Sequence, residues 1–298
     1  MIRLATRKSA LALAQTHEVQ GLISCHSRES GHPVQTQLIA LVTTGDQIQN
    51  QSLADIGGKG LFIKRLEEAL LANEADIAVH SLKDVPPVLD PEFCIAAVLP
   101  RISPHDVLVS HQYGSLKDVP QGAKIGTSSV RRAAALLNHR PDLVMVPIRG
   151  NVDTRLKKLT AGECDALILA EAGLTRLNLE SHITERLSID FCTPSVGQGI
   201  IALECLNTRE DLKTLLAPLN DPSTFACMTA ERAMNQHLGA SCTSPVGSYA
   251  HINNEVLILK GTIWSIDGRH KVETLQTGHP CDAIAIGQRA AHDLLAHY

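Results

Sequence analysis

The chain has 298 residues, 44% of them hydrophobic, and a formal net charge of −4. At roughly 100–200 residues per domain this length predicts two or three domains, with enough apolar sequence to build packed cores. Aromatics make up only 3%; with no stacking aromatics and no global basic field, nucleic acid and membrane surfaces are excluded as expected partners.

The N-terminus reads MIRLATRKSALALAQ. It has neither the apolar core nor the cleavage site of a signal peptide. No window approaches the roughly 18 uninterrupted apolar residues of a membrane helix. The expectation is a cytoplasmic protein.

Short apolar runs then alternate with amphipathic helical patterns. Residues 2–5 predict a strand and 10–23 a helix. Residues 36–42 predict a strand, 61–72 a helix and 76–80 a strand. In the second half, strands are expected at 124–126, 143–148 and 166–169, with helices at 130–138 and 154–161. Such alternation implies βαβ units around mixed or mostly parallel sheets.

The two halves echo each other. RLEEALLANEADIAVHS, from Arg65, resembles RLKKLTAGECDALILAE, from Arg155. Upstream, IRLA-TRKS-ALALAQ is echoed by KIG-TSS-VRRAAALL. The shared order of features predicts two related lobes, with proline-containing linkers near 99–105 and 191–196. After Asn220-Asp221-Pro222 the pattern changes to a helix at 225–238, strands around 256–263 and a last helix at 283–296. That predicts a smaller α+β domain.

There are 8 cysteines and 14 histidines. With no C-x-x-C pair, seven of the cysteines are expected to be reduced, buried thiols. No H-E-x-x-H and no zinc-like ligand spacing occurs, so no metal is expected.

Gly126-Thr127-Ser128-Ser129-Val130-Arg131-Arg132 joins a strand to a helix. Free backbone N–H groups and hydroxyls at a helix N-terminus form a natural anion site. Two arginines in the first turn oppose the helix dipole unless an anion offsets them. The plainer meaning is an N-cap with two solvated arginines. Arg149, Gly150 and Arg155 occupy the next strand end and helix start, and Arg176 follows the last strand of this lobe. Arg7 and Gln15 flank the equivalent turn of the first lobe. Strand ends and helix starts of α/β sheets converge on one crevice, and guanidinium groups pair bidentately with carboxylates. A ligand with several carboxylates follows. Phosphate competes, but no phosphate-binding glycine loop is present.

His80-Ser81-Leu82-Lys83-Asp84-Val85-Pro86 sits at a strand's end. As an isolated feature it is a polar surface turn. Beside an anion cleft, Asp84 becomes a candidate acid/base or cation-stabilising carboxylate, and Lys83 a partner that binds anions or tunes it. Cys242 differs from the other cysteines: small polar residues surround it in a loop, where it is either an incidental thiol or able to hold a covalent group. Residues 45–59 read as a long loop and a candidate lid.

Together, IRLATRKSALALAQ, IGGKGLF, ADIAVHSLKDVP, IGTSSVRRAA, IRGNVDTRL, DALILAEAGLTRL, PSVGQG and TAERAMNQHLGASCTSPVGSYA resemble, in order and nearly end to end, the hallmark segments of the porphobilinogen deaminases, also called hydroxymethylbilane synthases. The resemblance implies an α/β fold of three domains. Two would be lobes of type II periplasmic-binding-protein kind with a cleft: residues 1–99 with 199–217, and 104–195. The third would be a smaller α+β domain at 222–298. It also implies head-to-tail condensation of four porphobilinogen molecules to linear hydroxymethylbilane, with release of ammonia, in haem biosynthesis. A dipyrromethane cofactor would be fixed by a thioether to Cys242. Asp84 would be the catalytic carboxylate, assisting loss of the amino group and stabilising positive charge on the pyrrole. Ser81, Lys83, Thr127, Ser128, Ser129, Arg131, Arg132, Arg149 and Gly150 would hold the cofactor. Arg7, Gln15, Arg149, Arg155 and Arg176 would meet the substrate or the growing chain. The implied partner is porphobilinogen alone, for a monomeric enzyme. Ala240, before Ser241, stands where the family commonly has glycine, and Ala10 where proline is common.

The rival reading is a non-catalytic two-lobed binding protein for a polycarboxylate, which would need neither Asp84 nor Cys242. A phosphate-handling transferase ranks third.

Overall fold

The computed structural model describes residues 1–29, 33–43, 63–241 and 243–298. The chain divides into two compact units. One comprises Met1–Arg101 with Ile200–Phe225, the other Ile102–Gly199 with Ala226–Tyr298. The expected domains at 104–195 and 222–298 thus fall largely together in the second unit, each around its own sheet.

The first unit contains a five-stranded sheet. Its strands are β1 (Ile2–Arg7), β2 (Thr36–Leu41), β3 (Ile77–Ser81), β4 (Phe93–Val98) and β10 (Ile201–Leu206), in the order β2-β1-β3-β10-β4. β1 pairs in parallel with β2 and β3, while β10 runs antiparallel to both β3 and β4. Four of the five residues of β3 are buried, as parallel strands covered on both faces require. Helices α1 (Ala10–Glu29) and α2 (Lys64–Leu71) belong to this unit, with α6 (Glu210–Leu216) following β10. α1 starts where Ser9 Oγ accepts a hydrogen bond from the Ala12 amide at 3.3 Å, a side-chain cap on an otherwise orphan donor. Leu4, Val19, Ile77, Leu203 and Leu212 share its main core.

The second unit repeats this plan. Its strands β5 (Asp106–Val109), β6 (Lys124–Gly126), β7 (Val144–Val146), β8 (Ala166–Ala170) and β9 (Glu185–Arg186) take the order β7-β6-β8-β5-β9. The first three are parallel, and β5 is antiparallel to β8 and β9. Position for position, the two sheets have the same order and the same directions. The sequence echo between the halves is therefore structural: β1–α1 corresponds to β6–α3 (Val130–His139), and α2–β3 to α4 (Val152–Thr160)–β8. The fourth strand of the first sheet is supplied by chain returning at residue 200. That of the second is β5, which precedes the βαβ repeat. A short helix, α5 (Glu171–Arg176), follows β8.

The remainder of the second unit holds most of α7 (Pro222–His237), an antiparallel sheet β11-β12-β13 (Val246–Asn253, Val256–Trp264, Lys271–Gly278) and α8 (Ala283–His297). α8 buries Ile286, Ala290 and Leu294 against Leu257 and Leu259 of β12. Fully burying a large apolar side chain is worth about 1.5–3 kcal/mol. Trp264 is fully buried in the core of the neighbouring lobe. No helix among the described residues is long and apolar enough to cross a membrane.

Helix and strand boundaries differ from expectation by a few residues. α1 runs six residues further than the periodicity suggested, and Asn151 rather than a later residue caps α4, accepting from the Thr154 amide at 2.9 Å. The candidate lid at 45–59 and Cys242 lie outside the described residues. One expectation is corrected: Cys25 and Cys281 are exposed and Cys94 is half-buried, so only Cys164, Cys192, Cys205 and Cys227 among the described cysteines are buried. Cys25 lies in the polar C-terminal part of α1 and Cys281 in the turn before α8, where no apolar run draws either inward.

Candidate active site

In the first unit, β3 ends at Ser81 and passes into a single 3-10 turn, Leu82–Asp84. Leu82 is fully buried and anchors the turn, and its amide donates to the Ile200 carbonyl at 3.0 Å. This leaves Lys83 and Asp84 at the rim of a cavity of ≈ 70 Å³ lined also by Arg7, Gln15, His80 and Ser81. β1 delivers Arg7, and the first turns of α1 deliver Gln15. Gln15 Nε2 donates to Ser81 Oγ at 2.8 Å. Arg7 Nη1 stands 3.8 Å from Asp84 Oδ2, with about a third of the Asp84 side chain exposed. The structure therefore gathers five predicted residues, Arg7, Gln15, Ser81, Lys83 and Asp84, around one cavity.

His80, one of the residues lining the cavity, belongs to a pair that the sequence did not announce. His80 Nε2 is 2.8 Å from Glu204 Oε2, and both side chains are almost wholly buried. Glu204 Oε1 is buried without a hydrogen-bond partner among the described residues. Burial, and then the neighbouring Glu204 charge, push Glu67 of α2 up to about 7. The only signal for Glu204 was one acid inside the apolar run IALECL.

In the second unit, Ser129 caps α3, its Oγ accepting from the Arg132 amide. Thr127 Oγ1 accepts from the Ser129 amide at 3.1 Å, and Ser128 Oγ donates to the Ile148 carbonyl at 3.0 Å. Gly126 is required here because a Cβ would lie 2.6 Å from Leu167 Cδ2 and 2.7 Å from Ile148 Cγ1. Arg131 and Arg132 are not solvated: they are 4% and 6% exposed. Arg131 Nη2 meets Asp106 Oδ2 at 2.8 Å, and Arg132 Nη2 meets Asp106 Oδ1 at 2.7 Å. Gln198 Nε2 adds a bond to Asp106 Oδ1 at 3.0 Å. Burial works to raise the Asp106 carboxyl, but the pull of the two guanidinium groups and their hydrogen bonds prevails and holds it well below the usual carboxylate range. The anion that offsets two arginines in a first helical turn is thus the chain's own Asp106. It lies at the edge of what read as a linker, which hid it.

Arg149 and Gly150 follow β7, and Arg155 lies in the first turn of α4, where its Nε donates to the Gly150 carbonyl at 2.8 Å. Arg176 ends α5, its guanidinium 3.4 Å from the Gly199 carbonyl oxygen. Arg131 Nε is buried without a hydrogen-bond partner among the described residues. No cluster among the described residues could hold a metal ion.

Residues 2–214 match the family described as porphobilinogen deaminase, dipyromethane cofactor binding domain, and residues 225–296 match the porphobilinogen deaminase C-terminal domain. The chain belongs to the porphobilinogen deaminase family. Curated porphobilinogen deaminases of Bordetella parapertussis and Bordetella bronchiseptica are each 46% identical over 295 residues, covering 99% of this chain and 93% of those proteins. Among solved structures, a periplasmic substrate-binding protein of an ABC transporter from Coxiella burnetii is similar at a TM-score of 0.47 with 13% identity, over 76% of this chain and 94% of that one. A nutrient-binding protein from Burkholderia cenocepacia bound to methionine gives 0.45 and 16%, over 73% and 90%.

Family membership makes the chain an enzyme and disfavours the binding-protein reading. The porphobilinogen deaminase family brings a dipyrromethane cofactor, whose acetate and propionate groups need hydrogen-bond donors and positive charge. The second unit supplies both. Asp106 offsets only one of the two charges of Arg131 and Arg132, arginines carry donors only, the hydroxyl-bearing turn precedes a helix N-terminus, and Arg131 Nε is buried with no hydrogen-bond partner among the described residues. The residues fit the group.

Proposed function

We propose that this porphobilinogen deaminase is a transferase of the cytoplasm. It condenses four porphobilinogen molecules head to tail into hydroxymethylbilane, with release of ammonia, as a step of tetrapyrrole biosynthesis. What supports the reading is the cavity of the first unit, where one carboxylate, Asp84, shares its rim with Arg7 and Lys83.

The division of labour follows the chemistry of the side chains. Loss of ammonia from the aminomethyl group leaves positive charge on the substrate pyrrole. The Asp84 carboxylate stabilises that charge in a partly desolvated cavity, where a fixed anion acts more strongly than in water. The same carboxylate holds the proton displaced as the new carbon–carbon bond forms. Arg7, Gln15, Arg149, Arg155 and Arg176 pair with the acetate and propionate groups of substrate and product. Ser81, Lys83, Thr127, Ser128, Ser129, Arg131, Arg132, Arg149 and Gly150 hold the cofactor, with Cys242 as its covalent anchor. When bound, the dipyrromethane supplies the pyrrole end from which the product chain grows. Catalysis belongs to domain 1, residues 1–99 with 199–217; anion binding to domain 2, residues 104–195; and anchoring to domain 3, residues 222–298. The enzyme works as a monomer without nucleic acid or metal.

The test is turnover. Incubated with porphobilinogen, the purified chain consumes it and releases one ammonia per molecule consumed. A chain that binds porphobilinogen but releases no ammonia would return the assignment to a binding protein.

A further inference from the structure

One cluster lies apart from these sites. Cys94 of β4 and Cys205 of β10 are directly opposed in the antiparallel ladder, and their sulfurs are 3.9 Å apart. Directly opposed residues in such a ladder have Cα atoms about 4.5–5.5 Å apart, within the span a disulfide bridges. Side-chain rotation alone must close the rest of the gap. The two thiols differ in access: Cys94 is half-buried on the sheet's edge strand, whereas Cys205 is fully buried. Burial, and then the Cys94 sulfur, push the Cys205 thiol up to about 12, while Lys213 and Arg209 act on it in the opposite sense. Lys213 of α6 feels both sulfurs.

We propose that Cys94 and Cys205 form a peroxide-oxidisable dithiol, with Cys94 the attacking and Cys205 the resolving thiol. The Cys94 thiolate attacks hydrogen peroxide, the O–O bond breaks, and Cys94 sulfenic acid and hydroxide result. The Cys205 sulfur then displaces the sulfenic oxygen, which leaves as water, and a Cys94–Cys205 disulfide forms. Two thiols lose two electrons, one peroxide gains them, and two waters are produced in all. A dithiol reductant reverses the step. The crosslink closes a covalent loop containing all of residues 102–199, so it restricts the unfolded chain strongly.

The experiment treats the full-length protein with hydrogen peroxide, blocks remaining thiols by alkylation and maps the non-reduced digest by mass. The expected result is a linked pair of peptides carrying Cys94 and Cys205, lighter than their sum by two hydrogens and separated by dithiothreitol. Cys25 and Cys281 are exposed and serve as internal controls for ordinary surface oxidation. In Cys94→Ser the link is lost and Cys205 stays reduced. The oxidised wild type melts higher than the reduced form by about 5 °C or more, a shift reversed by reductant. Oxidation of Cys25 and Cys281 with Cys94 and Cys205 both still alkylatable would overturn the proposal. So would accumulation of unlinked Cys94 sulfinic acid.

Discussion

The two carboxylate oxygens of Asp106 each hold one arginine of the same helical turn: Oδ2 meets Arg131 at 2.8 Å and Oδ1 meets Arg132 at 2.7 Å. All three side chains are nearly or wholly buried. Removing one partner of a buried ion cluster leaves charge with no compensation. Asp106→Asn is therefore expected to cost about 3–5 kcal/mol, seen as a lower urea midpoint at pH 7. Because the folded-state carboxyl of Asp106 is depressed, its contribution is complete above the unfolded value of about 3.9 and is lost as pH falls below that. The gap between variant and wild type should therefore narrow in strong acid. A midpoint at pH 7 indistinguishable from wild type would show that the arginines are held otherwise.

Glu67 gives the opposite pH dependence. Its folded-state value is raised to about 7, by burial first and then by Glu204. A carboxyl with a raised folded value binds more protons folded than unfolded as pH rises from the unfolded value towards 7, so stability declines across that window. Glu67→Gln removes this slope. The variant should gain in melting temperature relative to wild type at pH 8 and show no gain at pH 4. Equal differences at both pH values would contradict the assignment.

Asp84 is partly exposed, and the Arg7 guanidinium stands 3.8 Å from its carboxylate. Pairs of this kind contribute about 0–1 kcal/mol. Asp84→Ala should leave the melting temperature and circular dichroism near wild type while porphobilinogen consumption falls by ~10³-fold or more, the scale of removing one preorganised electrostatic group. Retention of a tenth of the activity would remove Asp84 from the chemistry.

Gly150 has φ +114°, and a Cβ there would meet Thr154 Cγ2 at 2.6 Å. Thr154 is also the residue whose amide the α4 cap, Asn151, accepts. Gly150→Ala should cost about 1–3 kcal/mol of stability. Because the Gly150 carbonyl receives Arg155, it should also raise the KM for porphobilinogen more than it lowers kcat. An unchanged KM would separate Arg155 from substrate binding.

Much of this was legible in the chain. The alternation of β1, α1, β2 and α2 with their counterparts β6, α3, β7 and α4 followed from apolar periodicity, and the echo between halves predicted two related lobes. Arg7, Gln15, Ser81, Lys83 and Asp84 stood at turns that the fold brings to one cavity. The missing parts depend on distant partners. β5 has four residues and β10 six; runs that short carry no distinctive period. Both are antiparallel additions to sheets otherwise read as βαβ units. The pairing of Arg132 with Asp106 spans 26 residues and that of His80 with Glu204 spans 124. A local pattern reports that Arg131 and Arg132 are charged, not that an anion elsewhere allows them to be buried.

A covalent dipyrromethane at Cys242 is the feature that separates this enzyme most directly from a two-lobed binding protein. Intact mass of the purified protein, followed by peptide mapping, measures it. An added dipyrromethane mass is expected, carried by the peptide that contains Cys242, either as isolated or after a bare chain is supplied with porphobilinogen. A chain that gains no mass on that peptide after incubation with porphobilinogen would contradict it.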